Sequence, residues 1–111
     1  MKVSQIETAP AFPGRRHPLD LDQLDTFRVV ATTKNFTRAA VELGYSQSSV
    51  TMRIQALERD LGVALFERCR FSKNVVLTEA GYLALKYAAR LLALADETKE
   101  AVLRKNSVPN Q

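Results

Sequence analysis

The sequence predicts a mainly α-helical protein in which three short helices are followed by a small β-hairpin and one long helix. Apolar residues recur at helical spacing along four stretches of the chain, and glycines or capping side chains separate these stretches. Two short runs between the third and fourth stretches, 64–68 and 75–78, have strand character. With 46% hydrophobic and 25% charged residues among 111, the composition is typical of one small folded domain.

The first helix is expected over about Leu21 to Thr33. Asp20 followed by Gln23 resembles a capping box, and apolar residues then recur at helical spacing. Residues 1–18 hold three of the four prolines and show no such periodicity, so they are predicted to form a flexible tail. The apolar face of the helix comprises Leu21, Leu24, Phe27, Val30 and Ala31.

A short second helix is predicted after a break at residues 34–35. Thr37 suits either an N-cap or a first-turn position, and the run 38–43 closes on Gly44. Because glycine readily adopts the left-handed conformation, the chain can turn sharply there.

The third helix is predicted to begin within three residues of this glycine. Ser46 is placed to cap it, and we expect it to run from Gln47 to Leu61 and to stop at Gly62. Its apolar stripe, predicted to face inward, comprises Val50, Ile54, Leu57 and Leu61.

These two helices with a tight turn between them form a helix-turn-helix, a motif that lays its second helix in the major groove of DNA. Glutamine can pair with adenine, arginine with guanine, and serine or threonine hydroxyls with bases or phosphates. Spacing alone also allows a polar helix face that is merely solvated. The residues left on the exposed end and face of the third helix are Gln47, Ser48, Ser49, Thr51, Met52, Arg53 and Gln55.

After the hairpin, Thr78 is predicted to cap a long helix from Glu79 to about Arg104. This helix carries two apolar stripes, of which the first, Leu85, Ala88, Leu92 and Ala95, can cover its own domain. The second stripe needs a partner chain, because a domain this small has little other surface to cover it. The alternative is that the whole chain forms one helical core. The second stripe comprises Tyr87, Leu91, Leu94, Thr98 and Ala101.

The composition argues against catalysis. The chain has one histidine and one cysteine, and its sequence contains neither a metal-ligand cluster nor a glycine-rich phosphate loop. We therefore expect no enzyme activity, no metal and no cofactor. The sequence also lacks a signal peptide and an apolar run long enough to span a bilayer, so we expect a cytoplasmic protein with no membrane partner.

Four motifs occur in order along the chain, and together they resemble the LysR-type transcriptional regulators. The resemblance covers Leu19 to about Val102 and implies a winged helix-turn-helix DNA-binding domain at 19–78, with the helix-turn-helix at about 36–55. It further implies a linker and dimerisation helix at 79–104, followed by a flexible tail at 105–111. The motifs are FTRAA (36–40), LGYSQSSVTMRIQALE (43–58), LGVALFER (61–68) and LTEAG (77–81).

The resemblance implies that the start of the third helix faces bases or phosphates, through Ser46, Gln47, Ser48, Ser49 and Thr51. The sequence departs from the family pattern at three positions. Ser48 stands where family members often have proline, and Met52-Arg53 stands where they often have Arg-Gln. The arginine is therefore displaced by about 100° around the helix. This leaves the base contacts of both residues open, with Met52 suited to a thymine methyl and Arg53 to a phosphate.

Further contacts to the DNA backbone are expected from the second helix and from the wing. The second helix crosses the backbone in this motif, and the wing, which is longer than is common in the family, can meet the minor groove or its phosphates. Arg68 is as well suited to a phosphate as to pairing with Glu67 or Glu58. The candidates are Thr37, Arg38, Arg68, Arg70 and Lys73.

By resemblance, two linker helices pair antiparallel, and the homodimer binds a two-fold-related operator in double-stranded DNA. Family regulators continue into an effector-binding domain that resembles a periplasmic binding protein, which these 111 residues do not contain. We therefore expect a nucleoid-associated transcriptional regulator that binds DNA without sensing an effector, and a higher oligomer is left open for a longer parent. The alternative is a protein-interaction module that uses the winged fold or the long helix without DNA.

Overall fold

The computed structural model describes residues 19–67 and 75–107. Three helices form a core in which each contacts the other two, and a long fourth helix packs on the first. The predicted mainly α-helical architecture is confirmed. In chain order the described helices are α1 (Leu21–Thr33), α2 (Phe36–Leu43), α3 (Gln47–Leu61) and α4 (Glu79–Ser107).

Helix α1 has the predicted bounds but not the complete capping box. The Asp20 carboxylate accepts a hydrogen bond from the backbone N–H of Asp22 at 2.8 Å, which caps the helix. Gln23 does not reciprocate, because its buried Oε1 makes no hydrogen bond within the described residues. The second half of the predicted capping box is therefore wrong. At the other end Lys34 adopts a left-handed φ of 57°.

Helix α2 begins two residues before the predicted run. Its N-cap is Asn35, whose Oδ1 accepts a hydrogen bond from the backbone N–H of Arg38 at 2.9 Å. Thr37 is therefore not the cap but lies in the first turn, the other position that the sequence allowed. Phe36 starts the helix and packs edge-on against Phe66, with 5.8 Å between the ring centroids.

The core lies between α1 and α3 and is closed by the segment after α3. Phe27 is fully buried, and its ring centroid lies 5.4 Å from that of Phe66. The predicted inward stripe of α3 is confirmed for Val50, Ile54 and Leu57, which are all buried. Leu61 departs from it and is 39% exposed, because the last turn of α3 lies at the edge of the core, where Leu61 lines an apolar groove beside α4.

The two arms of the predicted hairpin pair at its base. Phe66 and Leu77 form an antiparallel β-bridge. The Glu67 N–H donates to the Val76 carbonyl at 2.7 Å, and the Thr78 N–H donates to the Leu65 carbonyl at 3.0 Å. Within the described ranges this pairing is a single bridge rather than two regular strands. Residues 68–74, which contain the rest of the predicted hairpin, lie outside the described residues.

Thr78 connects the base of the wing to α4. Its Oγ1 accepts a hydrogen bond from the Gly81 N–H at 2.9 Å and donates one to the Ala64 carbonyl at 2.8 Å. The predicted cap of the last helix is therefore formed, and the same hydroxyl also fixes the segment that follows α3.

Removing this hydroxyl should destabilise the domain. We expect Thr78→Ala to lower the free energy of unfolding by about 1–2 kcal/mol, because a helix cap and a hydrogen bond to a carbonyl are lost together. Thr78→Ser keeps both bonds and should lose much less. Urea denaturation of the three proteins measures the difference, and equal losses in both variants would show that the methyl group, not the hydroxyl, matters.

Helix α4 extends beyond the core and ends at Ser107, three residues after the predicted end. At 1.5 Å per residue it is roughly 43 Å long. Three residues of its first predicted stripe cover the domain as expected: Ala88 is buried, and Leu85 and Leu92 pack against the core. The fourth, Ala95, is half-buried and lines a pocket beside α1. No helix in the described part of the chain is long and apolar enough to cross a membrane.

Candidate nucleic-acid interface

The turn between α2 and α3 brings the N-termini of the two helices together. Gly44 adopts a φ of 75°, and its N–H and that of Tyr45 both donate to the Ala40 carbonyl, at 2.9 and 3.0 Å. The side chains of Thr37 and Gln47, one in the first turn of each helix, are then joined by a hydrogen bond of 3.1 Å.

The predicted reading residues of α3 differ in their exposure. Gln47, Ser48 and Gln55 are exposed, and Met52 is 66% exposed. An apolar side chain this exposed, between polar neighbours, is available to contact the methyl group of a thymine. The three remaining residues, which are partly buried, are Ser49, Thr51 and Arg53.

Three serine hydroxyls form a cluster at the N-terminus of α3. Ser46 caps the helix by accepting from the Ser49 N–H at 3.1 Å, and its own hydroxyl donates to the Ser49 Oγ at 3.1 Å. The Ser46 and Ser48 hydroxyl oxygens lie 3.2 Å apart. Each hydroxyl has one proton, so Ser48 must be the donor to Ser46 when Ser46 donates to Ser49. The Ser49 proton then remains for a base or a phosphate, next to the positive end of the helix dipole.

Arg53 is held by an aromatic residue that sequence reasoning missed. Its guanidinium carbon lies 4.3 Å from the centroid of the Tyr45 ring, a distance at which a cation–π interaction is favourable. Tyr45 itself packs against the core. The stacking therefore fixes the guanidinium beside the turn, while its N–H groups at the edge can still bind a phosphate. The available signal was an aromatic residue in the turn, two helical turns before an arginine.

The charged candidates lie in different surroundings. Arg38 is exposed, and its side chain makes neither a hydrogen bond nor an ion pair among the residues that the structure describes. Glu58, one suggested partner of Arg68, accepts a hydrogen bond from the Leu65 N–H at 2.8 Å. Three predicted contacts in the wing, Arg68, Arg70 and Lys73, lie outside the described residues.

No group of three or more His, Cys, Asp or Glu side chains in the described ranges could hold a metal ion. The chemistry of the α2–α3 surface is that of hydrogen-bond donors, one guanidinium on an aromatic ring and one exposed arginine. These groups suit a polyanion with hydrogen-bonding edges.

Comparison with known proteins points to one family. Residues 21–82 match the family model for bacterial regulatory helix-turn-helix proteins of the lysR family. Over 85 residues the chain is 47% identical to a probable RuBisCO transcriptional regulator of Porphyra purpurea, which covers 77% of this chain and 26% of that protein. Over 98 residues it is 45% identical to the HTH-type transcriptional regulator BbuR of Bordetella bronchiseptica, covering 88% of this chain and 30% of the relative.

A solved structure resembles most of this chain. The CbnR_DBD–DNA complex superposes with a TM-score of 0.74 at 38% sequence identity, over 79% of this chain and 99% of that one. The chain spans between a quarter and a third of the length of the two curated relatives above. The family model covers more than half of the chain, and the similar structure is matched over nearly its full length. The chain therefore belongs to the lysR family of bacterial regulatory helix-turn-helix proteins.

Proposed function

We propose that this chain is the sequence-specific DNA-binding part of a LysR-type transcriptional regulator and places α3 in the major groove. The observation that carries the proposal is the exposed face of the N-terminal half of α3, which presents amide, hydroxyl and thioether groups beside the turn. These groups include the side-chain types that read base edges. The similar CbnR_DBD structure, 38% identical, is itself a complex with DNA.

Base reading is proposed for the exposed side chains near the start of α3, and phosphate binding for the cations around them. Gln47 suits adenine, and Met52 suits a thymine methyl. Arg38 on α2 and the stacked Arg53 on α3 suit phosphates. For Arg68, Arg70 and Lys73 in the wing, contact with the minor groove or its phosphates stays a prediction from the sequence.

We propose a homodimer that forms through α4. Three members of the second predicted stripe, Tyr87, Leu91 and Leu94, are 40–57% exposed. The remaining two, Thr98 and Ala101, are exposed as well. In a two-fold dimer the stripe of each chain would pack against the same stripe of its partner. The dimer would present two α3 helices to half-sites about 34 Å apart.

The remaining parts of the proposal concern the kind of action and its place in the cell. We propose that the chain acts by binding rather than by catalysis, in the cytoplasm at the nucleoid. Both relatives described above are named transcriptional regulators, which supports this assignment.

Fluorescence anisotropy against labelled duplexes tests the proposal. Binding should weaken steeply with salt, because phosphate contacts release counterions. Arg38→Ala should weaken binding to all duplexes alike and reduce the slope of log K against log salt by about 0.9, the contribution of one phosphate contact. Lys99→Ala, which removes the same charge from α4, serves as the control and should leave the slope nearly unchanged.

The opposite result would point to the interaction module. If the folded protein binds no duplex at low salt, the DNA-binding proposal fails, and the exposed apolar stripe of α4 becomes the functional surface.

A further inference from the structure

The N-termini of α2 and α3 are connected by one hydrogen bond between side chains. The Thr37 hydroxyl donates to Oε1 of Gln47 at 3.1 Å, although the two residues are ten positions apart and both are exposed. A bond between two exposed side chains contributes little to stability, since water can replace either partner. Its main consequence is therefore the orientation of the Gln47 amide.

We propose that Thr37 is a positioning residue that holds the side-chain amide of Gln47 in one orientation for reading a base. This inference rests on the proposed DNA-binding function. It assigns to Thr37 a role in sequence specificity instead of the phosphate contact expected from the position of Thr37 at the start of α2.

Because the side-chain amide of Gln47 is planar, a hydrogen bond to its oxygen also restricts the position of its nitrogen. The last torsion of a glutamine side chain is broad and roughly two-fold, so a free amide presents its oxygen or its nitrogen with similar ease. With Oε1 held by Thr37, the position of Nε2 is fixed as well. Nε2 makes no hydrogen bond among the described residues and retains both protons.

This orientation selects among base edges. Nε2 can donate to acceptors such as purine N7, guanine O6 or thymine O4. The carbonyl oxygen of Gln47 has a second lone pair, which can still accept from the N6 amino group of adenine. Adenine therefore engages both atoms of the amide, through N7 and N6, whereas cytosine offers only its amino group and leaves Nε2 without an acceptor, so cytosine should be disfavoured at this position.

The same proton count argues against a phosphate contact by Thr37. A threonine hydroxyl has one proton, and here that proton is donated to Gln47. Phosphate oxygens only accept hydrogen bonds. The Thr37 hydroxyl therefore cannot donate to a phosphate while it holds Gln47.

The test compares base preference among four proteins. Wild type, Thr37→Val, Thr37→Ser and Gln47→Ala are each used to select from a pool of randomised duplexes, and the bound fraction is sequenced. Thr37→Val keeps the shape of threonine but has no hydroxyl, and it should weaken discrimination about threefold to tenfold, the equivalent of one net hydrogen bond. This loss should occur at the base pair where Gln47→Ala also loses preference, and nowhere else. Thr37→Ser should retain the wild-type preference.

Two further measurements, of affinity for individual duplexes and of thermal melting, separate a positioning role of Thr37 from a phosphate contact or a structural role. A uniform loss of affinity by Thr37→Val on all duplexes, or an unchanged preference at the Gln47 position, would overturn the inference while leaving the proposed function intact. If the wild-type protein itself selects no duplex, both fail together. Thermal melting of Thr37→Val should match that of wild type, whereas a lowered melting temperature with uniformly weaker binding would assign Thr37 a structural role only.

Discussion

Gly81→Ala is expected to lower the free energy of unfolding by about 2–3 kcal/mol, because the added methyl group has no space. A Cβ at this position would overlap the Leu65 carbonyl oxygen and lie 2.8 Å from Cδ2 of Leu77. The Leu65 backbone cannot easily move away. Its N–H donates to the Glu58 carboxylate at 2.8 Å, and its carbonyl accepts from the Thr78 N–H at 3.0 Å.

Helix propensity alone predicts that Gly81→Ala raises the free energy of unfolding, so the direction of the measured change shows which effect is larger. Replacing a helical glycine by alanine stabilises an unobstructed helix by about 1 kcal/mol. We expect the steric cost to exceed this gain and to lower the melting temperature by roughly 10–20 °C. Gly44→Asn gives a comparison without steric overlap: a Cβ there meets nothing within 4 Å, so any loss of stability comes from the φ of 75°, and asparagine keeps that loss small. A Gly81→Ala protein more stable than wild type would show that the contact with Leu65 yields.

The helix bounds illustrate what the sequence can predict. The observed bounds of α1 and α3 agree with those that the sequence predicts. Asp20, Ser46 and Gly62 mark three of these four ends with side chains or conformations that act locally. Helix α2 begins two residues before the run that the sequence predicts. Asn35 and Thr37 are both good caps, and the choice depends on Phe36, whose ring packs against Phe66 from a distant part of the chain. Local signals cannot include such a contact.

In the candidate site, too, local sequence signals miss the contacts between separate parts of the chain. Sequence patterns identify Gln47 and Arg53 as candidate DNA contacts, but not the residues that hold them. The contacts from Thr37 to Gln47 and from Tyr45 to Arg53 arise only after the Gly44 turn has set the angle between two helices. The need for glycine at position 81 likewise follows from how closely α4 passes the backbone of Leu65. These features are tertiary, and of the three only the stacking of Arg53 has a signal in the sequence, the aromatic residue Tyr45 in the turn two helical turns before it.

Leu94→Glu is expected to convert the proposed dimer into a monomer. Leu94 is 57% exposed, lies in the second stripe of α4 and does not belong to the core. In a two-fold interface the substitution occurs twice. Burying one leucine contributes about 1.5–3 kcal/mol, so the loss of two should raise the dimer dissociation constant by a factor of at least about 100. Desolvation of the two carboxylates adds to this effect.

Sedimentation equilibrium of the wild-type and variant proteins measures the change, and Val41→Glu provides a matched control. Val41 is 76% exposed on α2, so this control adds the same charge at an exposed apolar position away from α4 and should leave the dimer intact. At concentrations where both proteins are monomeric, the thermal stability of Leu94→Glu should be close to that of Val41→Glu, since neither side chain belongs to the core. Where Val41→Glu is dimeric, its melting temperature should be higher, because association stabilises the folded state. On DNA, Leu94→Glu should lose its preference for two half-sites over one, because only a dimer joins two α3 helices. Two results would refute pairing through this stripe: a wild-type protein that is monomeric at every concentration, or a Leu94→Glu protein that still forms dimers. Another surface would then have to bring two copies together on an operator.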